Sequence, residues 1–153
     1  MHIECIEIYT DGSCLGNPGV GGWAAIVVVN KQKTTEYFGF VEQTTNNQME
    51  LSAAIEGLEK AIDYYPQKIL LFSDSQYMQL GITKWITQWK KNGWRTSNRK
   101  DVKNKNLWEK LDILNQKLTI EWNWVKAHNG NKLNERADYL ARTAASDRIT
   151  KQE

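Results

Sequence analysis

Four acidic residues could do chemistry together. Asp11 and Asp74 each follow a run of β-branched and aromatic residues and precede a glycine or serine. If those runs are neighbouring parallel strands, both carboxylates meet at the strands' carboxyl ends, where α/β sheets bind ligands. The plainer alternative is a turn or helix-cap acid, the commonest job for Asp in such places. Glu50 enters the first turns of a helix whose small neighbours, Ala53, Ala54 and Gly57, let it lie close to a sheet. A first-turn acid favoured by the helix dipole is its alternative reading. Asp138 follows Ala137 and precedes Leu140 near the apolar face of a late helix. Carboxylates drawn together repel, so some are protonated unless a cation is present. Oxygen-only ligands select hard cations such as Mg²⁺ or Mn²⁺. Two such ions about 3.5–4 Å apart can activate water and stabilise a leaving oxygen in phosphodiester cleavage.

The elements that position these acids follow from hydrophobic period. Residues 3–9 read as a strand ending at the turn signal Thr10–Ser13. Gly16–Gly19 and Gly21-Gly22 read as a glycine-rich loop before a second strand at 23–29. A third strand is expected at 37–41, and the short links predict an antiparallel meander. Thr45 and Gln48 form a capping-box pattern. Leu51, Ala54, Ile55, Leu58, Ala61 and Ile62 then recur at helical spacing. The continuous apolar run at 69–72 fits a strand covered on both faces. A helix is expected from Asp74-Ser75 to the stop signal Asn92-Gly93, another around Leu107, Leu111 and Leu114, a fifth strand at 118–125, and a last helix over 133–144. The order βββαβααβα predicts an α/β fold with a five-stranded mixed sheet and helices packed against it. One domain over 1–147 is expected, with a frayed polar tail at 148–153.

Composition narrows the class. A chain of 153 residues, 41% hydrophobic and 25% charged, suits a globular domain. The net charge of +2 says little until the charges are located. Cys5 and Cys14 match neither a zinc site nor a redox pair, and reduced thiols in a cytoplasmic protein are expected. No apolar run reaches membrane-spanning length. The segment Lys84–Lys105 holds Lys84, Lys90, Lys91, Arg95, Arg99, Lys100, Lys103 and Lys105, eight of the chain's 20 basic residues, against one acid, Asp101. Trp85, Trp89 and Trp94 lie within it. Clustered cations beside aromatics suit a nucleic-acid backbone, whereas core tryptophans under a solvated charged face would look the same in sequence. His128, in a loop with Asn129, Gly130 and Asn131, has an ordinary pKa near 6.5 that suits proton exchange. An idle surface histidine is its alternative.

Five motifs resemble those of type 1 ribonuclease H, the bacterial ribonuclease HI family. They are Tyr9–Gly19 (YTDGSCLGNPG), Thr45–Glu50 (TNNQME), Ser73–Tyr77 (SDSQY), Trp124–His128 (WVKAH) and Asn134–Asp138 (NERAD). Order and spacing match from about Ile6 to Ala145. The resemblance implies the ribonuclease H-like fold with sheet order 3-2-1-4-5 and helices on both faces. It implies a monomer that cuts the RNA strand of RNA–DNA hybrids without sequence preference, leaving 5′-phosphate and 3′-hydroxyl ends. It implies that Asp11, Glu50, Asp74 and Asp138 hold two Mg²⁺ ions, with Mn²⁺ as a substitute, and that His128 assists proton transfer or product departure. Cys14, Asn17, Asn47, Gln48 and Gln76 resemble minor-groove contacts, with Cys14 acting through its backbone. Thr45 resembles a contact to a DNA phosphate. Trp85, Trp89, Lys90, Lys91, Trp94 and Arg95 lie in what resembles the basic protrusion that grips the DNA strand. Ala127 stands where the family usually has glycine, and Lys132-Leu133 where a Pro-Glu-like pair is common. Rival readings are a DNA-cutting enzyme of the same fold, a noncatalytic hybrid-binding module, and a metal-binding protein with no nucleic-acid partner.

Overall fold

The computed structural model describes residues 3–126 and 130–152. Three long strands, β1 (Cys5–Cys14), β2 (Gly19–Val29) and β3 (Lys33–Thr44), form the antiparallel meander. Helix α1 (Asn46–Ile62) leads to β4 (Lys68–Ser73), which pairs parallel to β1. Next come α2 (Gln76–Leu80), a widened π-helical turn (Gly81–Trp85) and α3 (Ile86–Lys91) in uninterrupted succession. Helix α4 (Lys105–Lys117), β5 (Ile120–Trp124) and α5 (Lys132–Asp147) complete the chain. The sheet order is β3-β2-β1-β4-β5, as expected.

Alternation along the strands sorts the core onto two faces. Trp23, Ala25, Val27 and Val29 of β2 join Ile6 and Ile8 of β1 in the cluster that packs against α1 and α4. Ala24, Ile26 and Val28, one residue out of phase, join Tyr9 against Ala137, Leu140 and Ala141 of α5. The helices therefore cover both faces. α5 rides very close to β2: a Cβ on Gly22 would lie 2.0 Å from the Ala141 carbonyl oxygen. Thr45 caps α1 by accepting from the Gln48 N–H at 3.2 Å. The other half of the capping box is absent, because the Gln48 side chain turns instead to Thr44 and Asn104.

Three expectations are corrected. Thr10–Ser13 is not a turn: β1 continues through it, because Asp11, Gly12, Ser13 and Cys14 pair with Ala24, Trp23, Gly22 and Gly21. The same pairing makes Gly21-Gly22 strand rather than loop, and the connection shrinks to the residues between Cys14 and Gly19. The tail is docked rather than frayed. Phe38 and Lys151 exchange backbone hydrogen bonds at 2.9 and 2.7 Å, and Gln152 donates to Glu56.

Candidate active site

Parallel pairing between β1 and β4 ends at Tyr9 and Phe72, whose rings stack 4.6 Å apart. Asp11 and Asp74 each stand two residues beyond that pair. Glu50 reaches them from the second turn of α1. The approach depends on Gly12, where a Cβ would lie 2.4 Å from the Glu50 amide nitrogen. No side chain larger than hydrogen fits between β1 and α1 there. As a result Asp11, Glu50 and Asp74 each present a carboxylate oxygen within 4.8 Å of the others. Asp138 of α5 stands outside that tight triad. It lines the same cleft as Asp11 and Asp74 and pairs with Arg142 at 3.0 Å. His128 lies outside the described residues.

The electrostatics follow from burial. Asp11 is only 7% exposed and Glu50 6%. Burial, then the charges of Asp74 and Asp138, push the Asp11 carboxyl from its ordinary 3.8 up to about 8. Burial and the neighbouring Asp11 and Asp74 raise Glu50 well above its usual range. Glu50 Oε1 is buried with no hydrogen-bond partner among the described residues. An unpartnered buried carboxylate oxygen is costly, and a hard cation would satisfy it. The donor set is all oxygen, so the residues fit a divalent cation. Asn134 Oδ1 is also buried without a partner among the described residues, and Asn134 lines the same cleft. Asn134 sits inside the Asn134–Asp138 motif, but its uncharged side chain gave no reason to single it out.

Several of the residues expected to read nucleic acid are tied to one another or lie near the acids. Asn17 accepts from the Asn46 N–H at 2.8 Å, which ties the β1–β2 connection to the start of α1. The Cys14 thiol donates to the carbonyls of Thr44 and Gly19 at 3.4 and 3.6 Å, so it is a local tie; both cysteines are free. Thr45 and Gln48 are half-buried, while Asn47 is exposed in the first turn of α1. Gln76, exposed at the start of α2, shares a second cleft with Asp74, Gln79, Trp124, Val125 and Lys126.

In the basic segment Trp85, Trp89 and Trp94 are all half-buried. Their rings run in series 5.7 and 6.1 Å apart, and Trp89 meets the fully buried Trp108. These tryptophans are the aromatic base of the segment, with the cations projecting from it. Lys90, Lys91 and Arg95 are exposed. Lys90 pairs with Asp112 at 3.3 Å, and Arg95 donates to the Arg99 carbonyl. Trp108, Tyr77 and Asn104 were not singled out from sequence, since their contacts join distant parts of the chain.

The RNase H family model matches residues 4–146. The chain belongs to the ribonuclease H family. It is an endoribonuclease on that membership. The ribonuclease H of Wolbachia pipientis wMel is 52% identical over 93% of this chain and 96% of its own length. That of Tolumonas auensis is 54% identical over 94% and 91%. Among solved structures, LC9-RNase H1, described as a type 1 RNase H with the type 2 active-site motif, superimposes with a TM-score of 0.84 at 30% identity. The match covers 99% of this chain and 77% of that one. RNase H1 of Halobacterium salinarum NRC-1 gives 0.70 at 28% identity, over 94% and 98%.

The acid cluster of this ribonuclease H makes the metal-free protein pH-sensitive in a defined direction. The Asp11 carboxyl is raised, so its contribution to stability is fully present below 3.8, where the unfolded chain is also protonated. That contribution is lost as pH rises, completely so above about 8. Glu50 acts in the same sense. In chelator, the thermal midpoint is expected to fall across this window, and Asp11→Asn should flatten the fall. Melting curves at a series of pH values check this. A midpoint that climbs through the window, unchanged by Asp11→Asn, contradicts the assigned repulsion.

Proposed function

We propose that the protein hydrolyses the RNA strand of RNA–DNA hybrids endonucleolytically and without sequence preference, leaving 5′-phosphate and 3′-hydroxyl ends. The observation that carries the reading is the convergence of Asp11, Glu50 and Asp74 beside Asp138, with Glu50 Oε1 left unpartnered. The names of the relatives support it. Asp11, Glu50, Asp74 and Asp138 would hold two Mg²⁺ ions, or Mn²⁺ in their place. Bound there, such ions neutralise charge at the phosphate and lower the pKa of the attacking water. The four carboxylates orient the cleft and keep it acidic. The Arg142 pairing restrains Asp138 on α5. His128 takes or returns a proton, or helps the product leave.

A hybrid differs from DNA by the 2′-hydroxyl of one strand. Cys14, through its backbone, together with Asn17, Asn47, Gln48 and Gln76, would meet the minor groove, with Thr45 at a phosphate of the DNA strand. The Asn17–Asn46 and Cys14–Thr44 ties hold that surface together before substrate arrives. The protein would act as a cytoplasmic monomer whose catalytic domain is residues 1–147. Among the described residues no helix is long and apolar enough to cross a membrane. A hybrid labelled on each strand in turn tests the chemistry. Only the RNA strand should shorten, and its new 3′ ends should be extendable by a polymerase. Shortened DNA, or 3′-phosphate ends that block extension, would overturn the reading.

The basic segment would grip the DNA strand through Trp85, Trp89, Lys90, Lys91, Trp94 and Arg95. Each cation that leaves a phosphate lowers the slope of log affinity against log salt by about 0.9, taking the B-DNA value for a hybrid. Replacing Lys90, Lys91 and Arg95 together is expected to raise KM and flatten the salt dependence. At saturating hybrid and low salt kcat should barely change, because uniform binding is lost and transition-state stabilisation is not. Steady-state kinetics at several salt concentrations measure both. An unchanged KM with an unchanged slope would make the segment a solvated surface only.

A further inference from the structure

A chain of hydrogen bonds connects the buried base of the tryptophan cluster to the surface beside the acids. Trp108 is fully buried, and its indole N–H can only donate; it donates to the Tyr77 hydroxyl oxygen at 2.9 Å. The Asn104 amide donates to the same oxygen at 3.1 Å. Asn104 Oδ1 in turn accepts from Gln48 Nε2 at 3.1 Å. Gln48 Oε1 accepts from the Thr44 hydroxyl at 2.6 Å. Both ends of the Gln48 carboxamide are therefore held, and one of them leads through two side chains to the core. Asn104 stands in the left-handed region at φ 61° at the start of α4, and no capping bond uses its side chain. Its amide is instead spent on joining α1 to α2. Tyr77 is fixed in turn by ring contacts with Trp85 and Trp108, 5.8 and 5.4 Å between centroids.

We propose that Tyr77 is a positioning residue for hybrid recognition: through Asn104 it sets the orientation in which the Gln48 carboxamide meets the nucleic acid. A glutamine side chain left free samples many rotamers, and ordering it on binding lowers affinity. Preorganisation removes that penalty before the hybrid arrives. Tyr77 itself stays away from the substrate, and its effect falls on binding rather than on the cleavage step. This rests on the reading of Gln48 as a substrate contact.

Tyr77→Phe keeps the ring and deletes the acceptor. Steady-state cleavage of a hybrid in Mg²⁺ would be compared for the wild type, Tyr77→Phe, Gln48→Ala and the double variant, each assayed below its own melting midpoint. KM should rise about three- to tenfold in Tyr77→Phe, the scale of one lost hydrogen bond, with kcat within about twofold. The double variant should be no worse than Gln48→Ala, because Tyr77 acts only through Gln48. Multiplying effects would overturn the proposal and leave Tyr77 a packing residue. A normal KM in Tyr77→Phe beside a raised KM in Gln48→Ala would overturn the connection. A normal KM in Gln48→Ala would also overturn it, and would place the fault in the contact reading. Should Tyr77→Phe fold poorly, Asn104→Ala severs the same chain and is judged by the same coupling to Gln48→Ala.

Discussion

Asp74→Asn is expected to abolish cleavage while leaving hybrid binding largely intact. The substitution keeps the size of the side chain and removes one charge from a cluster in which three carboxylate oxygens lie within 4.8 Å. It deletes the proposed ligand that follows β4 and leaves every cation of the basic segment, which begins ten residues on at Lys84, in place. The loss in turnover should reach about 10³-fold, the upper end of what removing one preorganised electrostatic group from an active site costs. Binding should hold or tighten slightly, since less negative charge faces the phosphates. The variant should also reduce the pH sensitivity of the metal-free protein, because the Asp74 charge is the largest influence on Asp11 after burial. Single-turnover cleavage with Mg²⁺ and equilibrium hybrid binding measure the two halves separately. Retained cleavage in purified Asp74→Asn would overturn the metal-site assignment. Lost binding with lost cleavage would mean that the substitution damaged the surface rather than the chemistry.

His128→Ala carries the second large effect, a slowing of turnover by about 10–10⁴-fold, the range of general acid–base catalysis. The mutant should still bind divalent cation and hybrid, which separates it from the carboxylate variants. Its pH–rate profile should lose the limb near the ordinary histidine pKa of about 6.5. The sequence around it, with Ala127 and Lys132-Leu133 in place of the family's usual residues, bears on the size of the effect more than on its sign. Inactivity as deep as that of Asp74→Asn would make His128 a primary ligand. Full activity would show that in this chain the proton travels without it.

The parts of this account that were legible in sequence share one property: they are local. The period of Leu51, Ala54, Ile55 and Leu58 marks α1, and the apolar run at 69–72 marks β4, because each pattern reports a buried face within a few residues. The density of cations between Lys84 and Lys105 marks an exposed basic segment in the same way. What the sequence hid depends on partners far along the chain. Thr10–Ser13 has turn composition, yet pairing with Gly22–Ala25 of β2 holds it in β1. The tail has the composition of a frayed end, but Lys151 finds Phe38 on the sheet edge. The expanded helical turn at Gly81–Trp85 leaves no mark on hydrophobic spacing. At the site, Asp11 and Asp74 were placed together correctly by argument from strand ends, whereas the closeness of Glu50 depends on Gly12 being bare, which no periodicity reports. The link from Trp108 through Tyr77 and Asn104 to Gln48 joins three segments, α4, α2 and α1, and has no linear signature.

Cleavage of four labelled duplexes side by side tests the central claim most directly. RNA–DNA, DNA–RNA with the label on the other strand, RNA–RNA and DNA–DNA would each be incubated with the protein, with and without Mg²⁺. Fragmentation of the RNA strand of the hybrid alone is expected, and only when the divalent cation is present. Cutting of the hybrid in chelator, or equal cutting of DNA–DNA, would contradict it.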